Sequence, residues 1–486
     1  MKAIFYYPHV TPHTDFPTWE PLQLIFIVRI LRENNIDAEI IDGRLFNAEE
    51  IKELIKQKIN GTEICFGISS LTCYQIIDAL NVARFVKEQH PDLPVIFGGW
   101  HATILPEETL KEGSVDIVIK GQGEATILEV TERLSKGFDL KGVKGISWKN
   151  GDNIIHEKER PLVSPDILPP LLPSDFEKLD LKHYQLNRVL FYMSSVGCPY
   201  DCKYCCIALA CNKKWLPLSS EKVIKEIEGL YKRFGFKEVI FWDNVFFTAK
   251  KRVSEICRHI IDKKLNISWS AHARINEIIT WDNSFIRLLK EGGCSSVFIG
   301  VESGSQQILD RINKRIKTED IVPSFRKLKN NDINIAVNWM VDLPDEKYKD
   351  IRKTMKYIKE GMKLYNYDTD RFSIFLYKFV PFPGTPLFNE LKREEIDNLP
   401  KSARGWGSYF YEKINDAMYP WEGENGPSLF ASTTFYLWKA YLQREQPLTF
   451  LGKNLRIISK IRLNRGFFRF PVEWWMWKRC RKKKDS

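Results

Sequence analysis

The stretch Val196-Gly-Cys198-Pro-Tyr-Asp-Cys202-Lys-Tyr204-Cys205 decides the architecture of this chain, because it places three thiols within eight residues. A 4Fe-4S cluster usually takes four thiolates, so this C-x3-C-x2-C spacing would leave one iron open to a small molecule. The apolar segment 189–194 just before it predicts a buried strand. We therefore expect the three cysteines to hold a cluster on a loop at the end of a barrel strand, where such folds keep their chemistry.

Two other uses of these cysteines fit the spacing less well. A structural zinc site needs paired ligands, such as two C-x2-C units, and the neighbouring Cys206 and Cys211 do not supply that pattern. A disulfide framework is typical of small secreted chains, whereas this chain has 10 cysteines in 486 residues. We expect no signal peptide. The cysteine usage therefore predicts a reducing compartment and a cytoplasmic protein.

The overall composition indicates a globular protein of two or three domains, with 44% hydrophobic and 28% charged residues. No apolar run reaches the length of a membrane span, since the best candidate, 22–31, is interrupted by Arg29. The net charge is +11, but six basic residues lie within 478–486. A basic tail is weaker evidence for nucleic-acid binding than a basic face, so no nucleic-acid partner is predicted.

Strand and helix patterns alternate through residues 1–140, which predicts a doubly wound parallel sheet with a ligand crevice beyond the strand ends. Small and polar residues follow three of these strands, where a ligand could approach the backbone and helix N-termini. Tight turns without a ligand are the alternative interpretation. The candidate residues are Ser69, Ser70, Thr72, Gly98, Gly99, Thr103, Gly121, Gly123 and Glu124.

These motifs resemble a known enzyme family. The cysteine stretch, with Tyr204 before its last cysteine, is similar to the radical S-adenosylmethionine (SAM) superfamily, and Gly98-Gly-Trp-His-Ala-Thr103 with Pro106-Glu-Glu resembles its cobalamin-binding domain. The resemblance implies that the nine residues named above contact cobalamin. The Asp-x-His-x-x-Gly signature of classical cobalamin domains is missing from residues 1–140, so cobalamin would bind without that histidine ligand. We expect His101 to pack or to edge the pocket.

Three domains and one linker are predicted in all. A doubly wound domain (1–140) is followed by a proline-rich linker (141–186) with one hairpin near Gly151. Six βα units then form a partial barrel, open at one side, over 187–395. Residues 396–486 form an aromatic-rich, mainly helical C-terminal domain. The fold class is therefore α/β.

Polar residues again follow the barrel strands. The resemblance implies that SAM contacts come from this set, with Glu302 and Ser303 suited to the ribose hydroxyls and Arg274 to the amino acid part. Solvated loop charges are the ordinary alternative for such acids. The SAM candidates are Tyr204, Asp243, Arg274, Glu302, Ser303 and Asn338.

The resemblance also implies the reaction. An electron enters the cluster, SAM is cleaved to methionine and a 5′-deoxyadenosyl radical, and that radical removes hydrogen from an unactivated carbon, which methylcobalamin could then methylate. The chain looks like class B radical SAM methyltransferases and the oxidative cyclase and hopanoid-modifying groups. We expect a hydrophobic lipid, tetrapyrrole or secondary-metabolite substrate and a flavodoxin or ferredoxin as electron donor. The alternatives are a radical SAM oxidoreductase, cyclase or mutase, and a non-catalytic cobalamin or cluster sensor.

The last hundred residues are rich in aromatic side chains. Segments 405–411 and 430–442 are aromatic, and the second predicts a helix. Such residues either pack in a core or line a site for a large apolar substrate. The tail 467–484 mixes tryptophan and phenylalanine with basic residues, a composition typical of an anchor on anionic lipid. A disordered tail or a docking segment explains the tail as well.

Overall fold

The computed structural model describes residues 2–12, 19–177, 179, 181–391, 399–418, 450–467 and 475. The chain folds into two compact units. The first comprises Met1–Ser268 and Phe382–Tyr411, and the second comprises Trp269–Pro381 and Glu412–Ser486. The boundary between the two units at residue 268 falls inside the stretch expected to form one barrel. The predicted division of the chain into three domains and a linker therefore stays a prediction.

The first unit contains a seven-stranded sheet. Its strands are β1 (Lys2–Tyr7), β2 (Asp37–Asp42), β3 (Glu63–Ser69), β4 (Val95–Gly98), β5 (Ile117–Ile119), β6 (Ile146–Asn150) and β7 (Asn153–His156). They lie in the order β2-β1-β3-β4-β5-β6-β7. The first five are parallel, and β6 and β7 add an antiparallel hairpin at the edge. The doubly wound sheet is confirmed, and the hairpin expected in the linker extends it.

Helices connect these strands. They are α1 (Leu22–Glu33), α2 (Ala48–Lys58), α3 (Tyr74–Gln89), α4 (Trp100–Ile104), α5 (Pro106–Leu110), α6 (Glu124–Ser135) and α7 (Pro173–Phe176). The core on one side of the sheet joins Phe66 and Val95 of the strands to Ile55 of α2 and Leu80 of α3. Asn47 starts α2 with a capping box, in which its side chain accepts from the N–H of Glu50. The helices bury their apolar faces against the sheet. This packing fixes the edge of the sheet where the ligand crevice is predicted.

The rest of the first unit carries the cysteine loop. Its elements are β8 (Val189–Tyr192), β9 (Ser195–Gly197), α8 (Ile207–Ala210), β10 (Trp215–Pro217), α9 (Ser220–Phe234), β11 (Glu238–Phe241) and α10 (Lys250–Asp262). Strands β8 and β11 are parallel neighbours. Strands β9 and β10 pair antiparallel, so the loop between them begins and ends at one short ladder.

The second unit continues the alternation of strand and helix. Its elements are β12 (Ser268–Ala273), α11 (Ile275–Ile278), α12 (Asn283–Glu291), β13 (Cys294–Glu302), α13 (Gln306–Arg311), α14 (Ile321–Asn330), β14 (Asn334–Val341), α15 (Tyr348–Leu364) and β15 (Phe372–Lys378). Strands β12 to β15 form parallel pairs in sequence order. With β8 and β11 this makes the six strands predicted for a partial barrel. Short 3-10 turns occupy Gly43–Leu45, Pro165–Ile167, Leu181–His183 and Thr318–Asp320.

Within the described residues after β15 lie the helices α16 (Pro386–Asn389), α17 (Ala403–Met418) and α18 (Phe450–Arg465). The aromatic residues at the start of α17 belong to the core of the first unit, because Trp406 and Phe410 are buried. The indole N–H of Trp406 donates to Glu108 at 2.8 Å. These rings therefore pack in the core of the first unit and hold the start of α17 in place.

Part of the C-terminal prediction lies outside the described residues. The segment 430–442 lies outside the described residues. The tail 467–484 lies outside them too, except for Phe467 and Trp475, which are both exposed. Among the helices that the structure describes, none is long and apolar enough to cross a membrane.

Candidate functional site

The three predicted cluster ligands lie on the loop between β9 and β10. Cys202 is buried, and Cys198 and Cys205 are half-buried. The loop turns between them, since the N–H of Cys205 donates to the carbonyl of Cys202 at 3.1 Å. Gly197 enters the loop at φ +85°, and a Cβ there would overlap the carbonyl oxygen of Lys214. Only glycine fits this entry into the loop.

The sulfur atoms of the loop influence one another. Burial, together with negative charge on Cys206, Cys202 and Cys198, raises the pKa of Cys205 to about 12. Thiols this close together would repel one another as thiolates unless a cation neutralised them, and a bound metal deprotonates the thiols that coordinate it. The loop therefore suits a metal centre of high positive charge.

A multinuclear cluster and a single metal ion require different arrangements of thiols. Within the described ranges, no group of three or more histidine, cysteine or acidic side chains is arranged to hold one metal ion. A zinc site would need such convergence on a point. In a 4Fe-4S cluster each thiolate binds a different iron, so the sulfurs need only surround a larger volume.

Asp243, predicted to contact SAM, instead lies behind the cysteine loop. It is fully buried after β11. Its carboxylate accepts from the N–H of Ser194 at 3.2 Å, from the Ser194 hydroxyl at 3.0 Å and from the hydroxyl of Ser195. Burial raises the pKa of Asp243, and Arg252 opposes that shift. Arg252 also donates to the carbonyl of Ser194 at 2.9 Å. Asp243 and Arg252 thus fix the backbone from which the loop departs.

A half-open cavity of about 250 Å³ lies within the first unit. Eight of the nine residues predicted to contact cobalamin line it: Ser69, Ser70, Gly98, Gly99, Thr103, Gly121, Gly123 and Glu124. Residues next to the cysteine loop line it too, namely Met193, Ser195, Val196, Ala210, Cys211 and Leu218. One cavity is therefore shared by the sheet edge and by the flank of the cysteine loop.

The strand order explains where the cavity lies. In the order 2-1-3-4-5 the connections leave β1 and β3 on opposite faces of the sheet, which opens a crevice beyond their carboxyl ends. Gly99 lets the next turn close against β3, because a Cβ at its φ of +89° would lie 2.8 Å from the Ser70 nitrogen. Thr103 then joins two turns, donating to the carbonyl of Gly99 at 2.8 Å and accepting from the N–H of Gly121 at 3.0 Å.

The cavity has features that fit a bound corrinoid. A Cβ at Gly98 would meet nothing closer than the carbonyl oxygen of Ile68 at 4.0 Å, so the Gly98 backbone faces open space. The Ser70 hydroxyl is buried and has no hydrogen-bond partner in the described part of the chain. A buried orphan hydroxyl is costly unless a ligand or water satisfies it. The volume would enclose part of a corrinoid, with the rest outside.

Thr72 and His101 are placed away from the cavity. The Thr72 hydroxyl and His101 Nδ1 are 3.3 Å apart, and both side chains are buried. Burial lowers the pKa of His101 to about 3, so its imidazole is neutral. His101 is a packing residue, and the assignment of Thr72 to cobalamin stays a prediction.

Arg29 and Gln122 are among the polar lining residues that the sequence analysis did not select. Arg29 on α1 is 3% exposed, and its Nε has no hydrogen-bond partner among the residues described. Gln122 lines the same cavity, and its oxygen accepts from the N–H of Val163 at 2.7 Å. Burial raises the pKa of Glu124, while the charge of Arg29 opposes that rise. The only sequence signal for Arg29 was a charge inside an apolar stripe.

In the second unit, Glu302 and Arg274 are linked through Lys314. Lys314 Nζ donates to Glu302 Oε1 at 2.7 Å. The guanidinium of Arg274 donates to the Lys314 carbonyl and, at 3.2 Å, to Asn276. Glu302 has a left-handed backbone with φ +72°, which is uncommon for a residue other than glycine and often marks a functional position. Lys314 was not predicted from the sequence.

The other SAM candidates have different surroundings. Ser303 is fully buried, and its hydroxyl accepts from the N–H of Ser305 at 3.2 Å. Asn338 lies on β14 in register with Gly300 and Phe375. Tyr204 is a half-buried turn residue between two of the loop cysteines. Ser303 therefore stabilises a turn, while Asn338 lies beside Gly300 in the middle of β14.

Comparison with protein-family models gives two matches. The radical SAM superfamily model matches residues 192–358, and the B12 binding domain model matches residues 14–131. The first match begins just before the cysteine loop and includes Glu302 and Lys314. The second begins after β1, contains β2 to β5 and includes every predicted cobalamin contact.

Curated relatives agree with these models. An uncharacterized methyltransferase of Pyrococcus horikoshii is 33% identical over 377 residues, covering 76% of this chain and 78% of the relative. The anaerobic magnesium-protoporphyrin IX monomethyl ester cyclase of Rubrivivax gelatinosus is 24% identical over 91% of this chain and 79% of its own length. The hopanoid C-3 methylase of Methylococcus capsulatus is 23% identical over 81% of this chain and 73% of its own length.

Solved structures share the fold. The cobalamin-dependent SAM radical enzyme OxsB superposes with a TM-score of 0.71 at 18% identity, covering 96% of this chain and 72% of its own. The radical SAM methyltransferase TsrM of Kitasatospora setae gives a TM-score of 0.66 at 16% identity, covering 80% and 75%. At these identities the likeness concerns the fold alone.

Proposed function

Because this chain belongs to the radical SAM superfamily and carries a B12-binding domain, we propose that it is a cobalamin-dependent C-methyltransferase acting on an apolar substrate. One observation carries the proposal. The loop that bears Cys198, Cys202 and Cys205 flanks the same cavity as the sheet edge predicted to bind cobalamin. A cluster on this loop and a corrinoid in this cavity would therefore lie close together.

Each group has its own protein ligands. The three loop cysteines would hold the 4Fe-4S cluster, and SAM would complete the coordination of its remaining iron. When bound, the cluster supplies the electron for SAM cleavage, and cobalamin serves as a methyl carrier. Asp243 and Arg252 hold the loop in shape, and the fixed backbone sets where the thiols point.

The corrinoid would lie against the open edge of the first sheet. The Gly98 backbone and the Ser70 hydroxyl face the cavity, and Arg29 and Gln122 supply polar contacts deeper inside. Gly98→Leu tests this placement, because the new side chain would enter the cavity without meeting protein backbone. We expect the variant to fold and to lose bound corrinoid in its visible absorption spectrum. Full corrinoid retention would move the site elsewhere.

Residues of the second unit would bind SAM. Glu302 and Arg274 are the strongest candidates, since both are 7% exposed and both contact Lys314. Asn338 and Tyr204 stay candidates on position alone. Ser303 and Asp243 would act indirectly, because their side chains already bond to neighbouring turns.

An apolar substrate is supported by an aromatic pair in the second unit. Phe375 and Tyr377 of β15 stack with ring centroids 6.3 Å apart and planes 5° apart, and they are 39% and 38% exposed. They share a strand face with the layer that holds Asn338. Exposed aromatic rings bind flat or apolar molecules well. Relatives named for hopanoid and protoporphyrin substrates agree with this class.

Two partners are proposed besides the substrate, namely an electron-donor protein and anionic lipid. A flavodoxin or ferredoxin would reduce the cluster, as radical SAM chemistry needs a low-potential electron donor. The basic, aromatic tail would bind anionic lipid if the substrate is a membrane lipid. Sedimentation with anionic vesicles, compared with a chain ending at Phe467, tests the second proposal.

A second candidate function is a radical cyclase that transfers no methyl group. It is favoured by the alignment with the Rubrivivax cyclase, which extends over 91% of this chain. The products separate the two. Anaerobically reconstituted enzyme should form both S-adenosylhomocysteine and 5′-deoxyadenosine if it methylates, and deoxyadenosine alone if it cyclises. Absence of SAM cleavage with every candidate substrate and reductant would contradict both.

A further inference from the structure

Lys314 lies between the two strongest SAM candidates of the second unit. The side chain of Lys314 is 5% exposed and the side chain of its partner Glu302 is 10% exposed. Their 2.7 Å contact is therefore a buried ion pair. Its carbonyl accepts from the guanidinium of Arg274. One residue therefore holds Glu302 through its side chain and Arg274 through its backbone.

The loop around Lys314 is shaped to turn this side chain inward. Asn313 and Arg315 on either side have left-handed backbones, with φ of +53° and +55°. The N–H of Lys314 donates to the carbonyl of Leu309 at 2.9 Å, which closes the end of α13. A left-handed arginine costs free energy, and such strain persists only where surrounding contacts enforce it.

The strand below leaves room for the pair. A Cβ at Gly300 would lie 2.5 Å from Glu302 Oε1 and 3.0 Å from Lys314 Nζ. The carboxylate and the ammonium therefore sit over the backbone of β13 at its carboxyl end, where barrel enzymes place functional groups. A charge buried in this way is expensive to keep and destabilising to leave unpaired.

We infer that Lys314 is a positioning residue for SAM, fixing the Glu302 carboxylate and the Arg274 guanidinium in the orientation that binds it. This inference rests on the proposed function. A purely structural ion pair would need neither the left-handed Glu302 nor a backbone contact to a second candidate ligand. Lys314 therefore sets SAM affinity and leaves the cluster untouched.

The test compares the SAM dissociation constant of reconstituted full-length protein with that of K314M and K314R. We expect K314M to bind SAM at least tenfold more weakly, at unchanged iron content. Arginine keeps the charge but not the compact contact, so K314R should give an intermediate loss. K290M is the matched control, because Lys290 forms an exposed ion pair with Asp332 in the same unit, and it should bind SAM like the parent chain.

The outcomes are separable. Folded K314M with SAM affinity within twofold of the parent would overturn the inference. If K314M does not fold, K314R decides: a several-fold loss at unchanged melting temperature supports the inference, and parent-like affinity overturns it. In K314M, adding E302Q should cost little more, since the two residues act as one unit; an additional loss as large as that of E302Q alone would contradict it. Failure of the parent chain to bind SAM would instead reject the proposed function.

Discussion

The carboxylate of Asp243 accepts hydrogen bonds from the backbone N–H of Ser194 at 3.2 Å and from the Ser194 hydroxyl at 3.0 Å. Asp243 follows β11, and Ser194 directly precedes the strand that leads into the cysteine loop. Ser194 also follows β8, the parallel neighbour of β11. The two hydrogen bonds therefore tie the ends of β8 and β11 together. Asp243, a SAM candidate by its position, thus anchors the start of the loop that carries the three cysteines.

Asp243→Asn should weaken that anchor. An amide nitrogen would face one of the donors that the carboxylate now accepts, and a lost charged hydrogen bond costs about 1.5 to 3 kcal/mol. We expect lower iron content after anaerobic reconstitution and a lower melting temperature. D262N, at an exposed position of α10, should change neither. Parent-like iron content and stability in D243N would show that Asp243 does not support the loop.

Gly99→Ala should destabilise the first sheet. The new Cβ would lie 2.8 Å from the Ser70 nitrogen, and alanine disfavours the φ of +89°. The cost should be at least about 1 kcal/mol. Gly98→Ala is the adjacent control, because its Cβ would approach no atom more closely than the 4.0 Å to the carbonyl oxygen of Ile68. Urea unfolding of both variants measures the difference; equal stabilities would mean that the turn after β4 does not need glycine at position 99.

Glu20 should make stability depend on pH. Burial raises its pKa from 4.5 to about 8. Between these values the folded chain binds more protons than the unfolded chain, so the free energy of unfolding falls as pH rises and levels off above pH 8. The effect is on the order of 3 to 5 kcal/mol over the whole window. Glu20→Gln should make the free energy of unfolding fall less steeply with pH.

The measurement is the melting temperature from pH 5 to pH 8.5. Glu346 shifts in the same direction, with a pKa of about 8, so E20Q should reduce the slope and leave part of it. E132Q, at an exposed position, should keep the full slope. An E20Q profile parallel to that of the parent chain would place Glu20 outside the buried set.

The fold was predictable because its signals are local. Apolar spacing in the sequence marks both the helix Tyr74–Gln89 and the strand Val95–Gly98. The two short helices after Gly99 were missed, because a five-residue helix shows barely one turn of periodicity. The division at residue 268 could not be foreseen either, as it depends on packing between distant segments.

The candidate site was predictable only in part. Strand-end position identified the cavity residues well, because the carboxyl ends of parallel strands share one edge of the sheet. It could not distinguish Glu302, at a left-handed position beside Lys314, from Asp243, which is bonded to two serines. That difference depends on contacts between residues far apart in sequence. Lys314 itself lies in a loop with no motif, so sequence reasoning had no reason to select it.

The central claim is that three thiolates hold a cluster whose remaining iron binds SAM. The direct measurement is iron content together with the EPR spectrum of the reduced protein, before and after SAM is added. We expect about four irons per chain, a spectrum that changes on SAM addition, and loss of both in C198A/C202A/C205A but not in C257A, whose thiol is buried in α10. Unchanged iron and spectrum in the triple variant, or a parent spectrum that ignores SAM, would contradict the account.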